Sequence, residues 1–131
     1  MASLLLNYRI AKEFLLLDPQ LTEIVFYILN VWPVETMVPT CIYRTEEENE
    51  SAGAKTKIHC VGPPYRSLDL RVRNLGSRFQ PVANEISKKV NLVWTYDPDR
   101  PKLRVAYSKP HGTGPHIHLQ IHPRTERKRD V

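Results

Sequence analysis

Cysteine is nearly absent. Cys41 and Cys60 are the only two, too few for the multi-bridge framework that small secreted domains use in place of a core. At 131 residues the chain is long enough to bury a core without such staples. Two reduced, half-buried thiols are the plainer expectation, and a disulfide is open only if their strands are neighbours. No apolar run is long enough to cross a bilayer. Met1 to Leu6 is apolar but has no basic region or cleavage pattern, and Arg9 soon interrupts it. Neither a secretory signal nor a membrane span is expected, and synthesis is assigned to the cytosol. Glycine is scarce as well, five against eleven prolines, which points to fixed turns and short elements. There is no repeat and no low-complexity block.

What is present is an ordinary soluble balance, 41% hydrophobic and 25% charged, consistent with one domain over residues 1–123 and a solvated charged tail over 124–131. A formal charge of +5 favours anionic partners such as nucleic acid, anionic envelope polymers or membrane surfaces, without choosing among them. Arg66, Arg71, Arg73 and Arg78 suggest a nucleic-acid module. No helix-turn-helix, zinc-finger or aromatic RNA-binding signature accompanies them, so nucleic acid is the weaker expectation. Nothing specifies an oligomer, and a monomer is taken as the default.

Leu4 to Leu17 reads as a helix. Asp18 and Pro19 then cap a second one, in which Leu21, Ile24, Val25, Ile28, Leu29 and Trp32 recur at helical spacing until Pro33. Thr40 to Thr45 is β-rich, Glu46 to Ala54 is a charged loop, and Lys57 to Val61 is a short strand or extended loop before the Gly62-Pro63-Pro64 turn. Leu68, Leu70 and Val72 alternate with Asp69, Arg71 and Arg73, the pattern of a half-buried strand. A helix is expected over Pro81 to Val93, with Ser77 and Gln80 as its capping box. Asp97 to Pro101 is a turn. Leu103, Val105 and Tyr107 begin a hairpin whose second strand is His116-Ile117-His118-Leu119-Gln120-Ile121-His122. Helices ahead of and between antiparallel strands predict an α+β domain, N-terminal helices packed on a small, mainly antiparallel sheet.

That last strand carries the chemistry. Alternate side chains share a face, so Ile117, Leu119 and Ile121 can meet the core while His116, His118, Gln120 and His122 meet something polar. His59 and Asp69 offer a complement from two other segments. Two imidazoles and a carboxylate make a three-ligand zinc set with an open fourth position, the arrangement hydrolytic zinc needs.

His59-Cys60-Val61-Gly62, Arg66-Ser67-Leu68-Asp69 and His116-Ile117-His118 together resemble the zinc peptidases of the D-alanyl-D-alanine carboxypeptidase and phage L-alanyl-D-glutamate endopeptidase type. Their pattern is Ser-x-His-x-x-Gly-x-Ala-x-Asp followed by Glu-x-x-His or His-x-His. The resemblance spans residues 20–122 and implies a hedgehog-like, DD-peptidase-like fold, zinc on His59, Asp69 and His118, and peptidoglycan peptide as substrate. It further implies a base or transition-state role for His116. Without a signal peptide, a phage-encoded lysis or virion enzyme acting at the cell wall is the expected setting. Lys57 stands where the family has serine, extra residues including Pro63-Pro64 precede Asp69, and Pro115 occupies the glutamate position of the Glu-x-x-His branch.

Other roles are assigned from position. His111, in the loop before the histidine strand, is an exposed loop residue on the plain reading and a substrate contact or proton shuttle on the functional one, with either His116 or His111 moving the proton. Arg66 and Arg71 attract a substrate carboxylate or hold Asp69, and Tyr65 walls the cleft. The plain alternatives are a hydrogen-bonded core His59, an Asp69 ion-paired to Arg66, Arg71 or Arg73, exposed strand histidines at 116 and 118, and a surface His122. Trp32 and Trp94 read as packing residues. A non-catalytic structural or phage-assembly protein on the same fold is the main rival, and a cupin-like barrel fits poorly with a helical N-terminal third.

Overall fold

The structure, a computed structural model, describes residues 3–4, 6–32, 36–71, 78–109 and 115–128. Its helices are α1 (Tyr8–Phe14), α2 (Pro19–Val31), α3 (Glu46–Ser51) and α4 (Phe79–Val93). The strands are β1 (Ser3–Leu4), β2 (Thr36–Cys41), β3 (Ser67–Arg71), β4 (Trp94–Thr95), β5 (Ala106–Lys109), β6 (His116–Gln120) and β7 (Glu126–Arg127), and Ile58–Cys60 forms a 3-10 turn. Five strands make one sheet in the order β1-β2-β3-β6-β5, and β4 with β7 makes a small second sheet. Among the described strand pairs β1 with β2 is parallel and the others are antiparallel. The arrangement is α+β.

The core follows from the two periodicities. Leu68 and Leu70 on β3 and Ile117 and Leu119 on β6 are fully buried, at alternate positions facing one side. Opposite them lie Leu21, Ile24, Val25 and Ile28 of α2 and Val82, Ala83, Ile86, Val90 and Val93 of α4, at the three- and four-residue spacing of a helix face. Burying each large side chain contributes roughly 1.5–3 kcal/mol. The other face of β3 and β6 is thereby left to Ser67, Asp69, Arg71, His116, His118 and Gln120.

Local signals explain most boundaries. Asp18 accepts the Gln20 N–H and Pro19 opens α2, as the sequence predicts. The expected helix from Leu4 is shorter, because Asn7 caps α1 through the Ile10 N–H and Leu4 pairs with β2 instead. The second strand begins at Thr36 and ends at Cys41, ahead of the predicted Thr40 to Thr45. The stretch Glu46 to Ala54, expected as a loop, contains α3. Thr45 and Glu48 form a reciprocal capping box, a Thr-x-x-Glu signal hidden within a run of charge. Helix α4 starts earlier than predicted, after Arg78, and Ser77 lies outside the described residues. Gln80 instead hydrogen-bonds Asn84 and Ser108.

Residues expected in the C-terminal tail are hydrogen-bonded to the fold as far as Lys128, with Thr125 buried among exposed neighbours. Thr125 is buried and its hydroxyl donates to the Tyr96 carbonyl. Glu126 and Arg127 pair with β4, and the Lys128 N–H donates to the Val93 carbonyl. Among the described residues no helix is long and apolar enough to cross a membrane.

Candidate metal centre

The register places the chemistry in one row across four strands. Asp69 on β3 is opposite His118 on β6, and His118 is opposite Tyr107 on β5. On the other flank Cys41 of β2 meets Asp69, after a register shift between Pro39 and Cys41. Proline lacks a ladder donor and favours such irregularities. His59 approaches from the 3-10 turn, which is tied to the end of β2 by the Arg44 N–H donating to the His59 carbonyl at 2.9 Å. Gly62, just after it, has φ of 128°, where only glycine is unstrained. A Cβ there would run into the Tyr65 ring.

Hydrogen bonds set which nitrogen each histidine offers. His59 Nδ1 lies 3.0 Å from the Ile42 carbonyl oxygen and 2.8 Å from Ser67 Oγ. A carbonyl only accepts, so Nδ1 carries a proton and Nε2 faces inward, 3.4 Å from Asp69 Oδ1. On the other side the Gln120 amide NH₂ donates to the Arg104 carbonyl. That leaves Gln120 Oε1 to accept from His118 Nε2 at 3.1 Å, and His118 Nδ1 faces inward, 2.8 Å from the same Asp69 oxygen. Two imidazole nitrogens thus converge on one carboxylate oxygen, with both outer N–H groups held by acceptors. This is how metal-ligating histidines are oriented.

His59, Asp69 and His118 are all buried, so the charges act on one another with little water between them. Burial opposes a charge on His59, but hydrogen bonding to Asp69 and then to Cys41 outweighs it and pushes its pKa up to about 10. Burial likewise opposes ionisation of Asp69, yet hydrogen bonds from His118 and His59 hold its carboxyl well below the usual range. In the metal-free protein, a proton on His59 supplies a cation beside the Asp69 carboxylate.

The other predicted residues separate into distinct places. His116 Nε2 is 3.8 Å from Asp69 Oδ2, beside the cluster. His111 lies outside the described residues, as does Arg73. Among the described residues the arginine that reaches Asp69 is Arg44, at 4.0 Å from Oδ2, a residue the sequence did not single out. Arg71 lies opposite His116 in the ladder, and Arg66 precedes the strand, its carbonyl accepting the Ile121 N–H. Tyr65 stacks on Tyr43 at 5.1 Å and lines a cleft with Tyr8, Lys12 and Leu16. His122 is half-buried at a turn, with its ring 5.7 Å from that of Tyr96.

A cleft of about 640 Å³ reaches Cys41, Arg44, Asp69 and His116. A second, of about 360 Å³, reaches His118, Tyr107 and Gln120. Sequence reasoning also missed Ser67 and Cys41 as site members. Ser67 was legible, since it shares a face with Asp69 two residues on, whereas nothing local marks Cys41.

The donor set fits a metal ion. Ligand atoms of Cys41, His59 and Asp69 all lie within 4.8 Å of one another, so the three form a cluster that can hold one. Ligand atoms about 2.0–2.1 Å from a tetrahedral ion sit roughly 3.3 Å apart, close to the 3.4 Å between His59 Nε2 and Asp69 Oδ1. Cys41 Sγ lies 3.6 Å from His59 Nδ1, the nitrogen already occupied by Ile42 and Ser67. The cluster that can hold an ion is Cys41, His59 and Asp69, and His118 Nδ1 meets it through Asp69 Oδ1 at 2.8 Å. No protein-family model matches the chain, and no curated protein or solved structure matches it either.

Proposed function

We propose that the protein is a zinc peptidase acting on the peptide of bacterial cell wall, on a hedgehog-like fold, with zinc on His59 Nε2, Asp69 Oδ1 and His118 Nδ1. The observation that carries this reading is the convergence of two buried imidazole nitrogens on one carboxylate oxygen, each ring oriented by an outer acceptor. The resemblance of His59-x-x-Gly62, Asp69 and His116-x-His118 to the carboxypeptidase pattern supports the substrate class, and the +5 charge suits an anionic wall. A phage lysis or virion setting belongs to the same proposal.

Zinc bound there would acidify a water and polarise a peptide carbonyl. The chain's own groups do the rest. Ile42, Ser67 and Gln120 keep the two rings in the binding tautomer. Hydrogen bonds from His118 and His59 hold Asp69 in its ionised form, and the Arg44 guanidinium lies 4.0 Å from its other oxygen. His116, half-buried and 3.8 Å from Asp69 Oδ2, takes a proton from the attacking water and returns it to the leaving amine.

The test is elemental analysis of the full chain, joined to digestion of purified peptidoglycan followed by mass spectrometry. One zinc per chain, lost in His59→Ala and Asp69→Asn with the fold retained, and new peptide termini that vanish with zinc, are expected. His116→Ala should keep its zinc and lose at least about 100-fold in turnover. A folded wild type that takes up no zinc overturns the reading. Zinc with no cleavage leaves the non-catalytic rival in its place.

A further inference from the structure

We propose that Cys41 enters the coordination sphere as a thiolate, giving the ion a fourth protein ligand beside His59, Asp69 and His118. The inference rests on the metal site proposed above and concerns how that site is regulated.

The first observation is the register. Val38 pairs with Arg71 and Pro39 with Leu70, so an unbroken ladder would set Thr40 against Asp69. The shift removes Thr40 from that position and sets Cys41 there. An extra residue in one strand re-aims the side chains that follow it, and here it aims a thiol at the carboxylate.

The second observation is distance. Ligand atoms of Cys41, His59 and Asp69 fall within 4.8 Å of one another, and the 3.6 Å contact of Cys41 Sγ is with the outward Nδ1 of His59. A thiolate about 2.3 Å from a tetrahedral ion lies roughly 3.5 Å from a nitrogen on the same ion. The remaining gap is within reach of a rotation about the Cys41 Cα–Cβ bond.

The third is position. Cys41 is half-buried and lines the same cleft as Asp69 and His116. It therefore stands on the side from which a substrate would reach the ion, at the position a three-ligand site leaves open.

Four protein ligands make a closed site of the structural kind. A thiolate also favours zinc over magnesium, calcium and manganese, which prefer oxygen donors. Cys41 thus secures the ion and restrains turnover until a substrate displaces it.

The experiment uses the full chain loaded with cobalt(II) in place of zinc. Wild type should show thiolate-to-cobalt charge-transfer absorption in the near ultraviolet. Cys60→Ser should keep that absorption and Cys41→Ser should lose it. In competition with a chromophoric chelator, Cys41→Ala should hold zinc more weakly by at least the roughly 10- to 100-fold that removing an outer partner costs. One equivalent of cobalt bound by wild type without the charge-transfer band overturns the role of Cys41 and leaves the three-ligand site standing. A wild type that binds no cobalt or zinc removes both.

Discussion

At His59 the direction of one N–H decides what the ring can bind. Ile42 and Ser67 hold the proton on Nδ1, so the inward nitrogen carries either a second proton or a metal ion. This has a pH signature. The folded pKa of His59 is about 10, against about 6.5 when unfolded. Its contribution to the metal-free fold is fully present below about pH 6.5 and is lost as pH rises through about 10. The Asp69 carboxyl has a depressed pKa, so its contribution is present above about pH 4 and is lost as pH falls through the folded value. Urea midpoints of chelator-treated protein should therefore fall between about pH 6.5 and 10, while apparent zinc affinity climbs over the same range because zinc displaces a proton. A midpoint that rises with pH in metal-free wild type, or a slope unchanged in His59→Ala, would contradict proton occupancy of the site. The residues of the pair were legible from type and spacing. Their orientation was not, because the oxygen that orients His59 belongs to a residue 17 positions away.

At the scale of elements, α3 shows how a short helix can be held by its end. Six residues long and acidic throughout its first turn, it is too short to be stable alone. The Thr45 hydroxyl accepts the Glu48 N–H, and the Glu48 carboxylate accepts the Thr45 N–H. Arg9 of α1 then clamps Glu48 and the Tyr43 carbonyl. The hydrogen bond from Arg9 holds the pKa of Glu48 at about 2. Exposed ion pairs contribute little, so the cap should matter more than the clamp. Thr45→Ala is expected to lower stability by about 1 kcal/mol in urea denaturation; an unchanged midpoint would show that Arg9 alone suffices. The capping box was readable in the sequence, but the surrounding charge favoured a loop. The alternation on β3 and β6 was read correctly because period two is local.

Across the whole molecule, the last strand closes the structure over its core. Thr125 is buried, donates to the Tyr96 carbonyl at 2.7 Å and accepts the His122 N–H at 2.8 Å. Beside it β7 pairs with β4, and the Arg127 guanidinium lies over the Trp94 ring at 5.5 Å. Replacing Thr125 by valine keeps the volume and takes the hydroxyl partner from the buried Tyr96 carbonyl and the half-buried His122 N–H. A loss of about 1–3 kcal/mol is expected, measured by thermal or urea unfolding. A change within about 0.5 kcal/mol would restore the picture of a solvated tail beginning at Arg124. Composition favoured that tail because mixed charge usually means solvent, and the buried threonine sits inside it without a local mark.

The sequence by itself determined the α+β class, the cap of α2 and the two-faced strands, since these follow from periodicity and residue chemistry, and it put forward His59, Asp69, His116 and His118 as candidates through residue type and family resemblance. Only the tertiary structure decided that Cys41 stands opposite Asp69, that Arg44 is the arginine reaching it, and that both imidazoles turn their free nitrogens onto one oxygen. Those outcomes depend on a register shift between strands and on carbonyls supplied by distant segments. Neither leaves a periodic trace in the chain.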